Sequence, residues 1–147
     1  MKTSEELIST VNHILEVCNE RVLGYRKAAG NVKDADLSYL FNKYALQTED
    51  FERELLQYSD KPHQADAGTR LIGDAWRVWM DLKSALTSDS SEAMLGASIT
   101  GEEAAIRNYE EALQDDDLPS NIRLILADQL SQIRMAYEDI KLRKKVS

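Results

Sequence analysis

An all-α, antiparallel four-helix bundle is the fold this sequence predicts. Apolar residues recur in steps of three and four along four long segments. Only six Gly and two Pro interrupt 147 residues, mostly where a helix should stop. No segment alternates apolar and polar residues over a strand's length. At this length the chain is expected to form a single domain over 1–147.

The first helix is expected from about Ser4 to Ala29. Leu7, Val11, Ile14, Cys18, Val22, Tyr25 and Ala29 form one stripe. Glu5 and Glu6 suit the positive end of the helix dipole, and Gly30-Asn31 is a stop. The second helix is expected from about Asp34 to Tyr58. Leu37, Phe41, Tyr44, Thr48, Phe51, Leu55 and Tyr58 make a heptad-like seam. The short link between the two predicts an antiparallel hairpin.

A polar connection follows, then a shorter helix over about Thr69–Leu86 with Ile72, Trp76 and Trp79 on one face. Ser88-Asp89-Ser90-Ser91 breaks it and caps the next helix, expected from Ser91 to Leu113 with Leu95, Ser98, Glu102, Ile106, Tyr109 and Leu113 inward. Asp115-Asp116-Asp117 ends that helix. Pro119 opens the last one, where its missing N–H is harmless. Ile122, Leu126, Gln129, Ile133, Ala136 and Ile140 form the last stripe, and a basic run from Lys141 to Lys145 suits the negative end of the dipole. Two antiparallel hairpins joined by a long crossover is one of the standard bundle topologies, and it is the ferritin-like one. The shorter helix would lie in that crossover, between helices two and three.

Eighteen Lys and Arg against 26 Asp and Glu leave a net charge of −8. That balance disfavours nucleic-acid binding, which needs a cationic face. One Cys excludes an intramolecular disulfide and a Cys-cluster metal site. The first residues lack the apolar run of a secretory signal, and no stretch is long and apolar enough for a membrane span. A cytoplasmic protein without membrane contact is the expectation.

In an apolar bundle core the inward polar residues are the informative ones. A di-metal carboxylate bundle places a Glu on each of two helices and Glu-x-x-His on each of the others. Here the first helix carries Cys18 inward, with Glu20 turned about 200° away from it. The second offers only Gln47, Glu49 and Asp50, and the last offers Gln129 and Gln132. Glu102 is the one acid squarely on an inward stripe. No cofactor is therefore expected, and no metal. Glu102, Gln129 and Gln47 read instead as a buried hydrogen-bond cluster that fixes helix register. In that cluster Glu102 needs a donor: a Tyr hydroxyl, Gln129 or Arg107. A merely structural Glu102 predicts that Glu102→Gln is nearly neutral.

His13 lies beside its stripe and His63 in the polar connection, without ligand spacing between them. Cys18 reads as a small core residue. The acids at 110–111 and 115–117 read as solvated charge. The chain has no phosphate-binding glycine loop and no zinc pattern.

Several blocks carry a family resemblance. They are Gly24-Tyr25-Arg26-Lys27-Ala28-Ala29, Asp36-Leu37 with Leu40-Phe41, and Phe51-x-x-Glu54-Leu55. Trp79-Met80-Asp81-Leu82-Lys83, Gly101-Glu102-Glu103-Ala104-Ala105, Tyr109-Glu110-Glu111-Ala112-Leu113 and Gln129 follow in order. From about residue 5 to 142 the chain resembles a bacterial family of ferritin-like four-helix proteins catalogued as a domain of unknown function. The resemblance implies the bundle and no chemistry.

The expected role is therefore a non-catalytic bundle acting through self-association, with a homodimer as the simplest form, or through a protein partner. The alternative is a divergent di-iron or manganese carboxylate protein in oxidative or metal stress, using Glu102 with Glu20, Glu49 or Asp50. A third reading is a small apolar ligand between the helices.

Overall fold

The computed structural model describes residues 4–60 and 91–146. Among the described residues the chain is all-helical. It forms α1 (Ser4–Ala29), α2 (Ala35–Leu56), α3 (Ser91–Leu113) and α4 (Ser120–Val146). The expected helix at 69–86, with Trp76 and Trp79, lies outside the described residues, as does His63.

Local chemistry sets the helix ends. The Asp34 carboxylate accepts from the N–H groups of Asp36 (2.9 Å) and Leu37 (3.1 Å), filling the N-cap of α2. Gly30 does not end α1 through a left-handed residue, because no described residue has positive φ. Instead the Asn31 amide donates to the Lys27 carbonyl at 2.7 Å, satisfying a carbonyl that the helix end leaves free. Between α3 and α4, Asp115 accepts from the Asp117 N–H at 2.9 Å, and Arg123 donates to the Leu113 carbonyl at 2.9 Å. The Pro119 carbonyl accepts the first bond of α4, from Arg123 N–H at 2.9 Å.

Neighbouring helices run antiparallel. Arg21 meets Glu102 while His13 meets Asn108, so α1 and α3 oppose. Tyr44 meets Asp139 while Tyr58 meets Asn121, so α2 and α4 oppose. It follows that α2 and α3 point the same way. Leu55 accordingly sits in one core cluster with Val11 and Leu118, while Leu95 sits in the other with Tyr25 and Ile140.

The predicted stripes of α1, α2 and α4 are buried along nearly their whole length, with Leu7 and Tyr58 half-buried at the ends. Helix α3 keeps its predicted stripe, with Leu95, Ser98, Glu102 and Tyr109 buried. Ile106 and Leu113 are half-buried against the same core, and small residues widen the covered face: Ala97, Gly101, Ala104 and Ala105. Helix α1 is covered more widely than one stripe: every residue from Val17 to Val22 is buried, Glu20 included. No described helix is long and apolar enough to cross a membrane.

Candidate functional site: a buried guanidinium and a neutral polar layer

Two polar layers cross the core about one helical turn apart. The first is built on Arg21, which stands outside the predicted α1 stripe. Arg21 is buried and forks onto Glu102: Nε donates to Oε1 and Nη2 to Oε2, each at 2.8 Å. The Tyr25 hydroxyl adds a bond to Oε2 at 2.6 Å. On its other side Arg21 Nη1 donates to Gln47 Oε1 (3.0 Å) and to Thr48 Oγ1 (2.5 Å). The Thr48 hydroxyl spends its own proton on the Tyr44 carbonyl at 2.8 Å, which leaves its lone pair for Arg21. The guanidinium lies 5.1 Å from the Tyr25 ring centre and 5.9 Å from those of Tyr44 and Phe51. Aromatic faces thus replace part of the hydration that burial removes.

The second layer is uncharged at its centre. The Tyr109 hydroxyl donates to Gln129 Oε1 at 2.7 Å. Its single proton is then used, so the Cys18 thiol is the donor in the 3.3 Å contact with Tyr109. Gln129 Nε2 donates to the Phe51 carbonyl (3.3 Å) and to Glu54 Oε1 (3.1 Å). An amide chain leads outward from the first layer: Gln47 Nε2 donates to Gln132 Oε1 at 3.3 Å, and Gln132 Nε2 to Asp128 at 2.9 Å.

Burial decides the protonation of this interior. It pushes the Cys18 thiol up to about 12, against the partial relief of the Tyr109 contact. Burial, then the Glu102 charge, holds the Tyr25 phenol well above its ordinary value. Burial and the Cys18 contact do the same for Tyr109. For Arg21, burial pulls down and the Glu102 carboxylate more than reverses it. At neutral pH the thiol and both phenols therefore keep their protons, and the guanidinium keeps its charge.

Glu102 and Gln129 are fully buried, but in different layers; Gln47 is half-buried between Arg21 and Gln132. Arg107 is exposed, and the donors to Glu102 are Tyr25 and Arg21. Glu49 pairs with Arg26 at 3.0 Å near the surface, and Asp50 pairs with Arg53 at an exposed site. Neither converges on Glu102. His13 meets Asn108 at 2.8 Å on the surface. Among the described residues no three His, Cys, Asp or Glu side chains group so as to hold a metal. Glu102 does not fit a metal-ligand role here: both oxygens are engaged, and a cation is already fixed 2.8 Å away.

A signal for Arg21 was present in the sequence. Ile14, Cys18, Arg21 and Tyr25 also follow steps of three and four, so a lone base stood on the α1 face opposite the lone acid of α3.

The family profile described as domain of unknown function (DUF2383) matches residues 6–115. The chain belongs to this family. The match takes in Arg21, Tyr25, Thr48, Glu102 and Tyr109 and stops before α4, so Gln129 lies beyond it. No curated protein and no solved structure matches the chain.

Proposed function

We propose that this DUF2383 protein is a non-catalytic, ferritin-like bundle that acts through self-association or a protein partner. One observation carries the reading: the position at mid-bundle where a metal would sit between carboxylates is occupied by a covalently attached cation, Arg21, which engages both oxygens of Glu102. A divalent ion there would have to displace or oppose that guanidinium at hydrogen-bond distance. The parallel run of α2 and α3 supports the ferritin-like part, since Leu56 and Ser91 then lie at opposite ends of the bundle. The protonated state of Cys18, Tyr25 and Tyr109 supports the non-catalytic part, because none is poised as a nucleophile or base near neutrality.

The test is metal analysis of protein purified from cells supplemented with iron and manganese. Metal well below one ion per chain is expected. Stoichiometric metal would overturn the reading in favour of a divergent di-iron or manganese carboxylate protein.

A further inference from the structure

Helix α4 carries a second apolar stripe on the side away from the core. Leu124, Met135 and Leu142 are 71%, 70% and 63% exposed, while Ile122, Ile133 and Ile140 face inward. The stripe is symmetric along the helix. Leu124 and Leu142 are equidistant from Ile133, and so are Ser131 and Met135. A two-fold axis passing beside Ile133 would seat Leu124 of one copy on Leu142 of the next, and the long Met135 on the short Ser131. The stripe spans about 27 Å at 1.5 Å per residue.

Charge selects the occupant. The chain carries a net charge of −8, so two copies repel unless a face offsets it. The two ends of α4 have opposite sign: Asp115, Asp116 and Asp117 precede it, and Lys141, Arg143, Lys144 and Lys145 close it. Antiparallel packing of α4 on α4 brings each basic end against the acidic end of the other copy, twice per dimer. An isologous interface requires this kind of self-complementarity. The same spacing sets Asp128 opposite Glu138 of the second copy and Arg123 opposite Arg143; Arg143 is already held by Asp139 within its own helix at 3.1 Å, and Arg123 is turned onto the Leu113 carbonyl at 2.9 Å.

We infer that two copies associate through α4, antiparallel, about a two-fold axis at Ile133. The inference rests on the self-association branch of the proposed function and names its surface. The test uses the full chain with Ser131→Cys and Met135→Cys variants, alone and mixed, under mild oxidation. Cys18 adds no background, being buried with a thiol pushed up to about 12. The expected result is a reducible dimer that forms more fully in the mixture than in either variant alone. Light scattering is expected to show a wild-type dimer that weakens with salt, and a Met135→Glu monomer with unchanged helix content. A wild-type dimer that survives Met135→Glu would overturn this interface while leaving self-association standing. A monomer at high concentration would overturn the inference and leave the partner branch. Failure of the proposed function itself is read separately, by stoichiometric metal.

Discussion

The charged layer around Arg21 and the neutral layer around Tyr109 sit side by side in one core, yet they constrain the molecule differently. The Arg21 layer joins α1, α2 and α3 through a fork that leaves no alternative partner for Glu102. The Tyr109 layer reaches all four helices through single bonds among a thiol, a phenol and an amide. Unpairing a buried charge strands its partner in a low dielectric, whereas unpairing a neutral group loses one hydrogen bond and its desolvation. The first layer is therefore the rigid register mark of the bundle, and the second tolerates substitution.

Arg21→Met and Glu102→Gln separate the layers most sharply. Each single change leaves one buried charge alone and is expected to cost about 3–5 kcal/mol in denaturant unfolding. The near-neutral Glu102→Gln expected from sequence is thus reversed, because the acid is half of a forked pair. Arg21→Met with Glu102→Leu removes both charges and is expected to recover most of that loss, the remainder being the Tyr25 hydroxyl left without its acceptor. A double variant as unstable as the singles would mean that the aromatic contacts, not the ion pair, hold the layer.

Phe51→Ala is expected to cost about 3–5 kcal/mol, since the ring is buried and lies under the guanidinium. A loss below about 1 kcal/mol would show a collapsible site at the junction of the layers. Tyr109→Phe, in the neutral layer, is expected to cost about 1–3 kcal/mol, from the unmet acceptor on Gln129. A cost equal to that of Arg21→Met would erase the contrast.

A last contrast is expected in alkali. A thiol whose folded pKa is raised contributes its full stability below the unfolded value and loses it as pH rises toward the folded one. For Cys18 that window runs from 9.0 to about 12. Stability is expected to start falling near pH 9 in the wild type. In Cys18→Ala the fall should start only above about pH 10, where Tyr25 and Tyr109 ionise in the unfolded chain. Identical onsets in the two proteins would place the thiol outside the linkage.

Much of the architecture was legible in the residues. The steps of three and four along α1, α2 and α4 predicted which side chains are covered, because helical spacing is a local property. Asp34 and Pro119 marked helix starts for the same reason. The α3 stripe was legible as well, but its widening onto Ala97, Gly101, Ala104 and Ala105 was not, because that depends on neighbouring helices which no local pattern states. Within the candidate site, Glu102 and Gln129 stood out as polar residues on apolar stripes. That Glu102 is neutralised from α1 while Gln129 serves Tyr109 was not legible, since each partner lies many residues away along the chain.

The sequence by itself determined four amphipathic helices, their caps and most of the residues they cover, all consequences of side chains a turn or less apart. Only the tertiary structure decided that Arg21 enters the core. A charge crosses into a low dielectric only when a carboxylate, a hydroxyl and aromatic faces from other helices meet it there, and that meeting exists only once the helices have packed.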